Sequence, residues 1–182
     1  MQWLAKFIYF KLLGWQILGN TSFSKETIKK AVIIAVPHTS WHDFYIGVLL
    51  RAVVQVKTNF IGKKALFVFP FGYFFKALGG APIDRKVNEN KVDSIAKLFD
   101  ENEEFRMTLA PEGTRKRVEE WKTGFYYIAK KAEVPIIMFT LDFENKTNRI
   151  SEPFYPTNNI EADFAYMYKF FKDVKGKVPA YS

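Results

Sequence analysis

The chain reads as a single α/β domain, and three features predict it. Short apolar runs rich in β-branched residues, 31–36 (AVIIAV) and 136–141 (IIMFTL), have the length and composition of buried strands. Between them lie stretches with helical periodicity, such as 88–102, which gathers Val92, Ile95, Ala96, Leu98 and Phe99 on one side. The 182 residues, 48% of them hydrophobic, suffice for one well-filled core, and no repeat, low-complexity tract or interdomain linker divides them.

The first segment, 1–19 (MQWLAKFIYFKLLGWQILG), is apolar and aromatic but broken by Lys6, Lys11 and Gln16. A bilayer span needs roughly 20 mainly apolar residues, and two lysines well inside the stretch argue against one. There is no charged leader, clean apolar run and small-residue cleavage site of a signal peptide. The expectation is an interfacial helix, with Trp3, Phe7, Phe10 and Trp15 at the headgroup boundary and the lysine stems reaching toward phosphates. A helix simply packed on the domain is the alternative. The division expected is therefore a membrane-interface helical segment, 1–20, and an α/β domain, 21–182.

A strand over 31–36 ends at Pro37, and 41–55 follows as a mostly buried helix carrying Phe44, Ile46, Val48, Leu49, Ala52 and Val53. A second strand is predicted over 57–62. In 67–80 (FVFPFGYFFKALGG), Pro70 and Gly72 break the chain before a short aromatic helix that ends at a glycine pair and faces a membrane or an acyl chain. A brief strand at 81–83 and the helix at 88–102 come next, then a strand over 106–110 stopped by Pro111. The remainder reads as a helix over 122–133, the strand 136–141, a hairpin turn at 144–148, and a helix over 161–174 with Phe164, Met167, Tyr168 and Phe171 on one face.

Composition narrows the function. A net charge of +8 favours anionic partners such as phospholipid headgroups, phosphate-bearing substrates or nucleic acid. The excess is mostly Lys spread along the chain, without a nucleic-acid module signature, so nucleic acid is set aside. The absence of cysteine excludes disulfides, thiolate metal sites and Cys nucleophiles. Nineteen Phe and an aromatic share of 18% exceed what a core of this size needs, which points some of that surface toward lipid.

The only histidines, His38 and His42, fall in one polar cluster after the first buried strand, Pro37-His38-Thr39-Ser40-Trp41-His42-Asp43. Loops at the carboxyl ends of strands are where α/β domains keep their sites. An imidazole there can act as a general base, and a carboxylate within reach fixes its tautomer. His38 and Asp43, five apart, can meet only if His38 precedes the helix. The competing reading makes Ser40 an N-cap and Asp43 the residue reaching back to its amide, in a capping box. His42, in the first helical turn, is the rival base. A second cluster, Ala110-Pro111-Glu112-Gly113-Thr114-Arg115-Lys116-Arg117, joins a glycine to three cations and suits a phosphate, or is a solvated basic turn. A third, Gly79-Gly80-Ala81-Pro82-Ile83-Asp84-Arg85, puts an arginine just after a short strand.

In order and spacing these clusters resemble the glycerolipid acyltransferase family typified by lysophosphatidic acid acyltransferases. Its pattern, His-x4-Asp, Gly-x-x-x-Ile-x-Arg, Glu-Gly-Thr-Arg and a Pro-containing strand, is met at His38 to Asp43, Gly79 to Arg85, Glu112 to Arg115, and Val134-Pro135-Ile136-Ile137. The chain departs from it in having Pro37 before the histidine and Pro82 before the isoleucine. The resemblance implies a mixed, mostly parallel sheet flanked by helices, behind an N-terminal membrane-binding helical segment. It implies His38 as the base and Asp43 as its partner. Arg85 and Arg115 would bind the acceptor's phosphate in a pocket shaped by Glu112, Gly113 and Thr114. The donor would be acyl-CoA or acyl carrier protein and the acceptor a lysophospholipid such as 1-acylglycerol-3-phosphate. No cofactor and no metal are expected, since two clustered histidines and one carboxylate among so many cations make a poor metal site. Attachment would be peripheral, on the cytoplasmic side of a membrane. Another lysolipid or aminoacyl lipid as acceptor, and a non-catalytic lipid-binding protein, remain as alternatives. A serine hydrolase lacks the Gly-x-Ser-x-Gly elbow.

Overall fold

A computed structural model describes residues 2–20, 28–63, 67–83 and 91–182. Its centre is a seven-stranded sheet made of β1 (Gln16–Gly19), β2 (Lys30–Val36), β3 (Asn59–Lys63), β4 (Gly80–Ile83), β5 (Phe105–Leu109), β6 (Ile136–Thr140) and β7 (Thr147–Ile150). The order across it is β1-β7-β6-β2-β5-β3-β4. Every pairing is parallel except β6 with β7, the hairpin that the polar turn predicts. The architecture is the single α/β domain expected, a mixed and mostly parallel sheet flanked by helices.

β2 is the central strand, covered on both faces, and its side chains alternate between two cores. Val32, Ile34 and Val36 join Ile136, Met138, Phe125 and Met167 on the face carrying α4 (Lys91–Glu101), α5 (Gly124–Lys131) and α6 (Ile160–Phe171). Ala31 and Ile33 join Ile137 and Phe139 on the other, under α2 (His42–Val54). A strand buried on both sides needs no polar alternation, which is why 31–36 is continuously apolar. Arg106, on β5, is fully buried yet satisfied, since it donates to the Ile28 and Lys57 carbonyls and pairs with Glu104.

The N-terminus departs from the reading of 1–19 as one interfacial helix. α1 (Gln2–Lys6) runs on as a wider π-helical segment, Phe7–Leu12, closed by a bond from Leu13 N–H to the Ile8 carbonyl of 2.9 Å. The chain then turns and Gln16–Gly19 becomes β1, an edge strand paired with β7. Trp15, expected at the headgroup boundary, is buried instead, edge-on to Phe143, and Tyr9 is buried beside it with its hydroxyl donated to Asn148. Burying an aromatic ring of this size in protein gains roughly 4–6 kcal/mol as an upper bound, and Tyr9 also needs a partner for its hydroxyl, which the sheet supplies. The opposite side of the segment does stay open: Trp3, Leu4, Phe7, Phe10 and Leu12 are exposed. Among the described residues no helix is long and apolar enough to cross a membrane.

Candidate active site

β2 and β5 end side by side, and their following loops form the site. Beyond β2, His38 precedes α2, as the five-residue spacing requires. Its Nδ1 lies 2.9 Å from Asp43 Oδ2, on the first turn of α2. The same oxygen accepts the backbone N–H groups of Thr39 and Ser40, both at 2.9 Å. One carboxylate oxygen therefore makes both the contact with the imidazole and the bond back to the Ser40 amide. Ser40 Oγ, for its part, stands 3.4 Å from His42 N–H, a weak cap. An ionised carboxylate only accepts, so Nδ1 carries the proton and Nε2 is the basic nitrogen. The His38 side chain is 28% exposed while that of Asp43 is 2% exposed, so the imidazole is reached from solvent and its partner is shielded from water. His42 is occupied: its Nδ1 is 2.8 Å from Ser40 Oγ and its ring packs on Trp41.

The loop after β5 supplies the rest. Arg115 approaches His38 from outside, its Nε 3.5 Å from Nε2, so the arginine and the basic nitrogen share one face. Arg115, Lys116 and Arg117 are all exposed and make a cationic rim beside the imidazole. Thr114 Oγ1 accepts the Lys116 N–H at 3.3 Å and steadies the turn. Gly113 has φ of +66°, a backbone conformation that favours glycine, and the flexible end of the Lys122 side chain lies across it.

Glu112, expected within the phosphate pocket, is turned inward instead: its Oε2 accepts the backbone N–H of His38 at 2.8 Å. A carboxylate facing the anion would repel it, whereas here it ties the two loops together. Burial pushes its pKa up to about 7; the hydrogen bond from His38 and the charge of His38 pull down, and the charge of Asp43 pushes up. Arg85 lies outside the described residues.

Three features of the site were not legible in the motifs. One is a strap near the C-terminus, in which Val178 N–H donates to Thr39 Oγ1 at 3.2 Å, and Gly176 packs so closely that a Cβ there would lie 2.5 Å from the same oxygen. The second is an apolar cavity of about 220 Å³ between α2 and the sheet, which begins at Asp43 and runs past Phe44, Gly47, Ile33, Phe139 and Phe60. Gly47, mid-helix with open space where its Cβ would be, is the one sequence signal for it. The third is a pair of polar atoms of cavity-lining residues, Asp43 Oδ1 and Thr108 Oγ1, both buried without a hydrogen-bond partner among the described residues. The aromatic stretch 67–75, expected as a wall or a doorway, meets the cavity only indirectly: the Phe75 ring packs on Phe44 and Phe60, which line it. On α3 (Phe71–Ala77) and just before it, Phe69, Phe71, Tyr73 and Phe74 point outward and are exposed.

A family model described as Acyltransferase matches residues 19–141, two thirds of the chain, including both loops of the site just described. The chain belongs to the Acyltransferase family. Among solved structures, this acyltransferase is similar to that of the 1-acyl-sn-glycerophosphate (LPA) acyltransferase PlsC from Thermotoga maritima. The TM-score is 0.62 at 19% identity, over 90% of this chain and 72% of that one, a likeness of fold. No curated protein sequence matches the chain significantly. The glycerolipid acyltransferase resemblance drawn from the motifs is thereby met by family and by fold, and the loop after β2 and the first turn of α2 carry its histidine and aspartate in hydrogen-bond contact.

Proposed function

We propose that the protein moves a fatty acyl group from acyl-CoA or acyl carrier protein to the free hydroxyl of a lysophospholipid, with 1-acylglycerol-3-phosphate the acceptor that suits the site best. The observation that carries this reading is the conjunction at His38. Its basic Nε2 faces Arg115 on one side, while its partner Asp43 heads an apolar cavity on the other. A phosphate on the cationic rim and an acyl chain in the cavity bring the acceptor hydroxyl and the thioester together at the imidazole.

In this mechanism Nε2 takes the proton of the hydroxyl as its oxygen attacks the thioester carbonyl carbon. Asp43 stabilises the imidazolium that forms and holds the ring's orientation. The tetrahedral intermediate collapses with cleavage of the C–S bond, and the imidazolium returns its proton to the departing thiolate. No acyl-enzyme is needed, in keeping with a chain that has no cysteine. Arg115, with Arg85, grips the acceptor phosphate, and Lys116 and Arg117 add charge at the rim. The exposed aromatic side chains of α1 and α3, on a chain of net charge +8, suit peripheral attachment to an anionic membrane surface, which we place on its cytoplasmic side.

The test is acceptor-dependent thiol release. Purified protein with acyl-CoA or acyl carrier protein and a panel of lysolipids should release thiol only when an acceptor is present, fastest with the phosphate-bearing one. Loss of a general base typically costs about 10² to 10⁴ in rate, so His38→Ala should lose nearly all transfer with its fold retained. Release without any acceptor would indicate hydrolysis, and none with any acceptor would leave a lipid-binding protein.

A further inference from the structure

The cavity under α2 is mostly apolar, but a few polar side chains line it, and they are not alike. Arg51, further along α2, is satisfied, since its guanidinium donates to the Leu78 carbonyl. Asp43 and Thr108 each keep one buried oxygen, Oδ1 and Oγ1, with no hydrogen-bond partner among the described residues. Native interiors leave few polar atoms bare, and two that belong to residues of one cavity call for a partner brought from outside the chain.

The local fold accounts for the rest of each side chain and leaves these atoms over. Asp43 Oδ2 meets His38 Nδ1 and accepts the Thr39 and Ser40 N–H groups, each at 2.9 Å, so every contact from the loop falls on one oxygen. The other belongs to a side chain only 2% exposed, out of reach of bulk water. Thr108 stands on β5 opposite Ile33 of β2 and Phe60 of β3, which line the same cavity. Its neighbour Met107 packs into the core on the far face, so strand alternation turns Thr108 toward α2. A valine would fill this position with the same shape and no bare hydroxyl.

Asp43 also fixes where along an acyl chain a partner would have to be. It holds the imidazole through Oδ2, and the cavity begins at it. A thioester whose carbonyl lies at His38 Nε2 can therefore bring only the first few carbons of its acyl chain beside this carboxylate. The third carbon is the nearest that carries a substituent without crowding the reacting carbonyl carbon. A hydroxyl there donates to Asp43 Oδ1 and accepts from the Thr108 hydroxyl, whereas a plain chain covers both oxygens with methylenes. A hydrogen bond to a charged group contributes about ten- to a hundredfold, and a site with buried polar atoms rejects a ligand that leaves them unpaired.

We infer that Asp43 Oδ1 and Thr108 Oγ1 form a subsite for a hydroxyl near the carboxyl end of the acyl chain, which makes a 3-hydroxyacyl thioester the preferred donor. The inference rests on the proposed transfer reaction.

The experiment measures kcat/KM with palmitoyl-CoA and with each enantiomer of 3-hydroxypalmitoyl-CoA, or with the matching acyl carrier protein thioesters if only these support transfer. Wild-type protein should favour one 3-hydroxy enantiomer over the plain donor by about tenfold or more, and over the other enantiomer, because the two oxygens are fixed in space. Thr108→Val, which keeps the shape and removes the hydroxyl, should lower that preference about tenfold, and Thr108→Ser should retain it. Melting temperatures confirm that each variant is folded. Equal use of plain and hydroxylated donors by the wild type would overturn the subsite and leave acyl transfer standing, whatever the variants do. A Thr108→Val protein that loses rate in the same proportion with every donor would also overturn it, since the threonine would then act on Asp43 rather than on the donor. Wild-type protein that releases no thiol with any donor and acceptor would reject transfer itself, and the subsite with it.

Discussion

Two carboxylates hold His38, and they work on different parts of it. Asp43 fixes the ring through Nδ1 and the loop backbone through the same oxygen. Glu112 reaches across from the other loop and fixes the His38 main chain. Because burial raises the Glu112 pKa from 4.5 to about 7, the group stabilises the fold most when protonated. The sign follows from linkage: below about pH 4.5 both folded and unfolded forms bind the proton, and as pH rises toward 7 the unfolded form loses it first. The contribution of Glu112 to stability therefore declines over that window. Glu112→Gln keeps an acceptor for the His38 N–H and cannot ionise. Relative to wild type, the variant should gain stability progressively from pH 4.5 to 7, by up to about 3 kcal/mol, or several degrees in Tm. Thermal melts across that range check it, and a constant difference between the two proteins would mean that Glu112 does not titrate there.

The elements around the site matter as much as its side chains. The His38 loop is pinned from three directions: by α2 through Asp43, by the loop after β5 through Glu112, and by the 176–178 strap through Thr39. The strap contact is sterically tight. A methyl group on Gly176 would lie 2.5 Å from Thr39 Oγ1 and 3.1 Å from Pro37 Cγ, so Gly176→Ala must push on the loop that carries the imidazole. Displacement of a catalytic group by about 1 Å can cost on the order of 10² in rate. The variant should show kcat reduced about tenfold or more with KM for the acceptor little changed, because Arg115 stands on a different loop. Steady-state kinetics beside a melt separate this from unfolding. A kcat equal to wild type would show that the strap yields rather than the loop.

For the molecule as a whole, the proposed peripheral attachment needs a surface suited to lipid. Gln2 and Ala77 border the same open pocket, so α1 and α3 approach each other, and both carry exposed aromatic residues. Deleting the first 19 residues is a poor test of attachment, since it also strips Tyr9, Trp15 and strand β1 from the fold. Exchange of the outward residues alone, Trp3 and Phe7 on one helix or Phe69 and Phe71 at the other, to Ser should instead lower co-sedimentation with anionic vesicles while Tm holds. Raising salt should weaken binding by the wild type in part, through the charge contribution. Undiminished sedimentation by both double variants would mean that this face does not touch the bilayer.

How much of this was open to reading from residues alone varies with range. The α/β class and the strands from β2 onward show in patterns spanning fewer than about fifteen residues, where hydrophobic period and turn chemistry are local properties. The pairing of His38 with Asp43 is also local: a proline-ended strand followed by a helix leaves few other places for a carboxylate five residues on. Trp15, Glu112 and Arg51 are different. A tryptophan suits a headgroup boundary or a core equally well by composition, and it is β7, over a hundred residues away, that places Gln16–Gly19 at the sheet edge and Trp15 inside. Glu112 reads as part of a phosphate turn until β2 and β5 pair and bring the His38 amide to it. Arg51 carries no signal of its own within a mostly buried helix, and only α3, folding back, offers its guanidinium a carbonyl. Local pattern tells what a residue suits, and long-range strand pairing and helix packing choose among the partners it finds, because those contacts depend on chain segments that no short window contains.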